Sequence, residues 1–276
     1  MSRRRLAVPT ATAPRAARWA VLGAGLGILA AAVVFAPAAW LANGLARATG
    51  DRLVLADARG TVWRGSAVLV LTGGLDSRDA SALPGRLEWR LSPSLAGGPG
   101  FALRAEQACC LNGSVTVLAR PGFGRLALEL LPAPGWIGQW PAAWLEGLGT
   151  PWNTLQLGGR LQLQSRGLTA ESVQGRWRLV GGAEVELQNL SSRLSTLPAL
   201  GSYRLRLDAD PAGAATLNLN TLEGVLQLVG SGQWGAGGLR LRGEARAATP
   251  ADEAALVNLL NIIGRRQGAR SVISIG

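Results

Sequence analysis

Two hydrophobic rhythms divide the chain. From Trp19 to Ala46 no charged residue occurs. A bilayer core needs about 20 helical residues, and the stretch from Trp19 to Trp40 would rise roughly 33 Å as one helix. Indoles at both of its ends match the aromatic belts of membrane interfaces. Gly23, Gly25 and Gly27 lie inside the run and would let another helix approach, without forming the four-spaced pair of a dimer motif. Phe35 sits near its far end. The pattern predicts a transmembrane helix and its exit over 19–46, a tail over 1–18, and a β-rich domain over 47–276, with a subdivision possible near 132–150. A cleaved signal peptide is the alternative, with Ala36-Pro37-Ala38 as its cleavage site. The length of the run favours the anchor, since signal-peptide cores are about 7 to 15 residues.

After Arg47 the apolar residues recur with period two. The segments 52–58, 66–73, 85–92, 113–120 and 124–131 alternate apolar with small, polar or charged residues. So do 159–167, 183–190, 202–209 and 239–246. Alternation of this kind puts one strand face on a core and the other on solvent. Gly, Pro, Asn and Asp clusters punctuate the runs at hairpin spacing, which predicts a large, curved, mostly antiparallel sheet with about two short helices. Segments 60–71, 175–187 and 232–243 share Gly, Trp, small residues and then an alternating strand. This fits one strand–turn–strand unit used several times, though the spacing is too irregular for a repeat fold.

Two segments read as helices. In the first, 135–148, Trp136, Trp140 and Trp144 recur at four-residue spacing, so a helix would carry them on one face, as sheet-packed core or as a partner or lipid surface. Pro141 interrupts it. In the second, Thr249 is a candidate N-cap, Pro250 occupies the first helical position, and Asp252 and Glu253 suit the first turn. Ala255, Leu256, Leu259, Leu260 and Ile263 make its apolar stripe. Gly264 fits the cap, followed by Arg265 and Arg266. A short strand, 271–275, follows.

Charge fixes the orientation of the first rhythm. Arg3, Arg4, Arg5, Arg15 and Arg18 precede the uncharged run with no acid among them. The positive-inside rule then leaves that end in the cytoplasm and the remainder in the periplasm of the cell inner membrane. The formal charge is +11, all 28 basic residues are Arg, and setting those five aside leaves +6. A periplasmic body makes nucleic acid an implausible partner for a basic chain. Arg176, Arg178, Arg204, Arg206, Arg240 and Arg242 alternate with apolar residues. They read as a solvated sheet face, or as a surface for anionic lipid or an acidic partner.

The chain has no histidine, which removes the commonest general base and metal ligand. Glu184 and Glu186 share a strand face and Ser191, Ser192 and Ser195 cluster, yet no acid comes paired with a nucleophile and a base. No enzymatic activity, catalytic residue, metal site or cofactor is expected. Cys109 and Cys110 are adjacent, so neither a zinc cluster nor a C-x-x-C motif can form. In an oxidising compartment a vicinal disulfide, buried free thiols and intermolecular pairing all remain open. Ten of the fourteen aromatics are Trp, a residue that favours interfaces.

Several segments carry a family resemblance. Residues 57–74 (DARGTVWRGSAVLVLTGG), 83–92 (LPGRLEWRLS), 148–159 (LGTPWNTLQLGG), 189–206 (NLSSRLSTLPALGSYRLR) and 256–275 (LVNLLNIIGRRQGARSVISI) resemble, in order, the N component of bacterial type II secretion systems. The Trp63-Arg64-Gly65 turn and the last segment are the most specific. The resemblance implies an accessory protein of the general secretion pathway, which exports folded periplasmic proteins through an outer-membrane secretin. It implies no catalytic residue. Its implied partners are inner-membrane components of the machine, the secretin and membrane lipid. A looser likeness, at the level of fold, is to AsmA-like proteins that handle lipid between membranes.

Overall fold

A computed structural model describes residues 14–235 and 238–275. Helix α1 (Pro14–Val34) is followed by α2 (Ala38–Thr49) and then by strands. The first run is β1 (Leu53–Gly60), β2 (Arg64–Thr72), β3 (Ala80–Ala82), β4 (Leu87–Ser94), β5 (Gly100–Glu106), β6 (Val115–Gly122), β7 (Arg125–Leu130) and β8 (Trp136–Pro141). A 3-10 helix (Ala142–Leu148) and α3 (Trp152–Leu155) intervene. The second run is β9 (Leu157–Val173), β10 (Arg176–Ser192), β11 (Gly201–Ala209), β12 (Ala215–Gly224), β13 (Leu226–Gly235) and β14 (Gly238–Ala247). Helix α4 (Pro250–Ile263), β15 (Arg265–Gln267) and β16 (Arg270–Ile275) close the described chain. All strands join one 16-stranded sheet, ordered β1-β2-β4-β5-β6-β7-β9-β10-β11-β12-β13-β14-β16-β15, with β3 on β2 and β8 on β9. Every pairing is antiparallel, as the period-two pattern predicts.

One face of this sheet is apolar from edge to edge. Opposed residues in an antiparallel pair share a face. Such a path runs from Leu55 and Leu69 through Ala67 and Leu87, Trp89 and Ala105, Leu103 and Val117, to Leu130 and Leu168. It continues through Leu163, Val185, Leu205, Leu219 and Gly230 to Gly243 and Ile273. In β9 the apolar residues change parity between Leu163 and Leu168. A bulge at Arg166 and Gly167 absorbs the extra residue, since Gly181 pairs with Leu168 while Ala183 pairs with Ser165. Gly167 takes φ +105 there, and the Ser165 hydroxyl accepts the Gly167 N–H at 3.1 Å while donating to the Gly182 carbonyl at 3.1 Å. Without that bulge the two halves would present their apolar residues on opposite faces.

The registers also give the sheet two distinct ends. The β1–β2, β4–β5, β6–β7, β9–β10 and β11–β12 turns lie at one, the hairpin end. The 3-10 helix, α3 and α4 lie at the other, the plugged end. There Leu157, Leu161, Leu190, Leu200, Tyr203 and Leu226 pack with Leu256, Leu259 and Leu260 of α4 in the larger core. A smaller core joins Ala38 and Ala42 of α2 to Leu55, Ala67 and Trp89.

The 3-10 helix shows that the sheet curls. β2 and β9 are five strand spacings apart, about 24 Å if flat. Seven residues of 3-10 helix span only about 14 Å. Yet Ala142 packs with Leu161 of β9, while Trp144 Nε1 donates to the Ser81 carbonyl at 3.0 Å and a Cβ on Gly147 would collide with the Leu71 carbonyl. The accessible surface is 17,229 Å². A compact monomer of this size would expose roughly 11,000 Å². A bare helix and a sheet that is open over its polar face and half-open over its apolar face contribute to the excess.

Three expectations need correction. The uncharged run is not one helix, because Pro37 lacks the N–H to continue it. α1 stops at Val34, and Trp40 belongs to α2, so Trp19 and Trp40 do not bracket a single span. Among the described residues no helix is long and apolar enough to cross a membrane. Residues 135–148 are not a helix with an indole stripe: Trp136 and Trp140 are in β8 and Trp144 is in the 3-10 helix. Four-residue spacing also keeps side chains on one face of a strand, so it could not tell the two apart. α4 forms as predicted, with Thr249 preceding it, but Gly264 is extended at φ −172 and Arg265 and Arg266 enter β15 instead of capping the helix.

Candidate membrane and partner surfaces

The junction between α1 and the sheet is built on indoles. α1 ends where Pro37 withdraws a donor, and Trp63 Nε1 donates to the Val33 carbonyl at 2.8 Å. The Trp89 indole, buried at the same corner, donates to the Val62 carbonyl at 3.2 Å. Val62 N–H donates to the Ala36 carbonyl at 2.9 Å, and Pro37 bridges Thr61. Ala36 and Ala38 are buried in this corner. The Trp63-Arg64-Gly65 turn, conspicuous in the sequence only for its resemblance, is therefore the seat of the helix. Gly65 faces the Trp89 ring, where a Cβ would not fit.

Beyond the junction α1 is bare. Trp19, Val21, Leu22, Leu26, Ile28, Leu29, Val33 and Val34 are all exposed, as is Phe35. Gly23, Gly25 and Gly27 have nothing within 4 Å of a built Cβ. Trp40 is also exposed, on the outer side of α2. Arg3, Arg4 and Arg5 lie outside the described residues.

The other residues singled out in the sequence support the fold around β8. Cys109 and Cys110 are joined to each other by a disulfide, with their Cα atoms 3.7 Å apart. The Cys110 carbonyl accepts the Gln139 N–H at 2.8 Å, Asn112 N–H donates to Ile137 at 2.9 Å, and Asn112 Nδ2 donates to Trp136 at 3.0 Å. This turn thus satisfies the edge of β8 opposite β9. Trp140 stands across from Leu161, Trp136 across from Gln164, and a bulge separates them. Trp140 stacks on Trp144 with ring centroids 6.3 Å apart. The three indoles are half-buried and do not form one exposed stripe.

The polar face carries the ion pairs. Arg204 Nη2 donates to Glu186 at 2.7 Å, and its Nε stands 2.8 Å from Glu184 as an ion pair without hydrogen-bond alignment. Gln188 donates to Glu186 at 3.2 Å and to Gln162 at 2.8 Å. The Arg204 hydrogen bond holds the Glu186 carboxyl below the usual carboxylate range, and Glu186 in turn raises Arg204. Asp57 is likewise lowered, by Arg86 first and then Arg59. On the apolar side, burial pushes the Tyr203 phenol up, and its hydroxyl donates to the Leu226 carbonyl at 2.9 Å.

Shallow, solvent-open depressions lie among the described residues. One of about 470 Å³ is lined by Thr216, Asn218, Ser231, Gln233, Arg240 and Arg242, on the polar face. No three acidic or cysteine side chains converge as a metal would require, among the described residues. Sequence reasoning missed the bare hairpin tips at Leu95 and Phe123, because single apolar residues in turns carry no periodic signal.

An open amphipathic sheet, plugged at one end and joined to a bare apolar helix, is a scaffold with large surfaces. Residues 51–273 match the family model of type II secretion system (T2SS) protein N, and the chain belongs to that family. It is thus a component of type II secretion, part of the envelope machinery. No curated protein and no solved structure matches the chain.

Proposed function

We propose that the chain is a non-enzymatic accessory or assembly component of the secretion machine, anchored in the inner membrane by α1 with its sheet in the periplasm. The observation that carries this reading is the bare helix seated on the Trp63 turn. Leucines, valines and aromatics exposed along α1 would be costly in water and are satisfied in lipid. Five arginines before the run support a cytoplasmic N-terminus. The sheet offers its faces and edges to other inner-membrane components of the machine or to the secretin, in support of the export of folded proteins. Deleting the gene, with every other component intact, is expected to lower release of exported proteins into the medium. Unchanged release would overturn a required role.

A second reading, lipid binding, draws on the half-open apolar face. Leu163, Val185, Leu205 and Leu207 are only half-buried, away from the helices of the plugged end. Lipid recovered by mass spectrometry from the purified full chain, and lost on Leu205→Gln with Leu207→Gln, would favour it. Equal lipid in both preparations would argue against it.

A further inference from the structure

We propose that the hairpin end of the sheet rests on the bilayer surface that α1 enters, with apolar tips in the headgroup layer and arginines on anionic phospholipid. The inference rests on the reading of α1 as the anchor.

Position is the first ground. α1 joins the sheet at the hairpin end, because Pro37 bridges Thr61 and Trp63 holds Val33. The turns of β4–β5, β6–β7 and β9–β10 lie at that same end by their registers. A bilayer reached by α1 is therefore the nearest surface to those turns.

The tips themselves are the second ground. Leu95 is 84% exposed and Phe123 fully so. Val173 and Trp177 flank the β9–β10 turn, and Trp234 lies near the end of β13, all exposed. A lone exposed apolar residue is ordinary. Here four separate hairpins put one or two each at the same end, and the aromatic members belong to the types that favour a headgroup layer. The opposite end exposes Leu75, Leu222, Val257 and Ile262, with no aromatic among them.

Charge is the third ground. Arg64, Arg90 and Arg104 stand opposite one another across β2, β4 and β5. Like charges directly opposed cost stability, so such a row calls for an anion. Neither they nor Arg125, Arg176 and Arg240 have a carboxylate within 4.0 Å among the described residues. The acidic pair Glu88 and Glu106 lies one step toward the plugged end, where Asp79, Glu146, Glu223 and Glu253 also collect. Glu171, Asp208 and Asp210 are the exceptions at the hairpin end, and Glu171 is paired with Arg178 at 2.7 Å. Asp208 is paired with Arg166 and Arg206, and Asp210 accepts the Ala214 N–H at 2.9 Å. Basic residues beside a membrane are attracted to anionic headgroups.

Photo-crosslinking tests this in the full chain, reconstituted in vesicles of phosphatidylethanolamine with phosphatidylglycerol. A benzophenone amino acid is placed singly at exposed positions 21, 95, 123, 75 and 222, and lipid adducts are read by mass spectrometry. Positions 95 and 123 are expected to give several-fold more adduct than 75 and 222. Equal or lower yields at the tips, with adduct at 21, would overturn the inference and leave the anchor standing. Absence of adduct at 21 would overturn the anchor and the inference with it. Arg64→Glu, Arg125→Glu and Arg176→Glu together are expected to lower the tip yield to that seen in phosphatidylcholine vesicles. A tip yield indifferent to both changes would overturn the role of the arginines.

Discussion

Leu260 and Phe123 are both large, apolar and attached to the same sheet, yet one is wholly buried at the plugged end and the other wholly exposed at the hairpin end. The strands reaching the two ends are continuous, so propensity does not separate them. What separates them is cover. α4, α3 and the 3-10 helix bring a second apolar layer to the plugged end, whereas at the other end α2 covers only the corner at Trp89 and the tight turns bring no layer of their own. Stability is therefore concentrated where helices meet strands, and surface is concentrated where the strands turn.

The sharpest way to break this contrast is Leu260→Asp. An unpaired carboxylate in the larger core is expected to cost more than about 4 kcal/mol and to release α4. Loss of cooperative thermal unfolding in circular dichroism would register it. Leu256→Ala removes a fully buried side chain and is expected to cost about 3 kcal/mol, read as a lower urea midpoint by Trp fluorescence. Tyr203→Phe keeps the ring but strands the Leu226 carbonyl, for about 1 to 2 kcal/mol in the same assay.

The polar face sharpens the comparison through pH. The folded state holds the Glu186 carboxyl below the ordinary value of 4.5, chiefly because Arg204 donates to it. Its stabilisation is complete above that ordinary value and is lost as pH falls through the lowered one. Glu186→Gln should therefore flatten the drop in melting temperature on acidification below about pH 5, leaving other carboxylates to supply the remainder. A variant curve parallel to the parent's would refute this. The smallest effect is expected at the hairpin tip, where Phe123→Ser should move the urea midpoint by no more than about 0.5 kcal/mol equivalent.

Most of the sheet was legible because strand alternation survives in sequence wherever side chains differ across the two faces. β2, β7 and β11 were plain for that reason. β13 was not, because Gly230 and Gly232 stand at its apolar-face positions and erase the rhythm. β12 alternates Leu with Asn and Thr, residues that also punctuate turns. β8 was misread because a spacing of four satisfies a strand and a helix alike, and because its register depends on a partner far along the chain. The helix junction was half legible: the uncharged run and Pro37 were visible, but the Trp63 hydrogen bond to Val33 joins residues thirty apart. The bulge at Gly167, which keeps one face apolar throughout, could be recognised only once both neighbours of β9 were known.

The strand order has a consequence for how the molecule comes into being. Along most of the sheet the hydrogen-bonding order repeats the chain order, so each strand finds its partner in the one made just before it. Closing such short loops costs little entropy and allows fast, local pairing. The sheet can grow like a zip from β1 as the polypeptide emerges, each new strand covering the edge left open by the last. Only when α4 arrives does the larger core acquire its lid. A chain stalled before residue 250 would thus carry an ordered ladder with its largest apolar patch uncovered, the state in which a holding chaperone has most to grip.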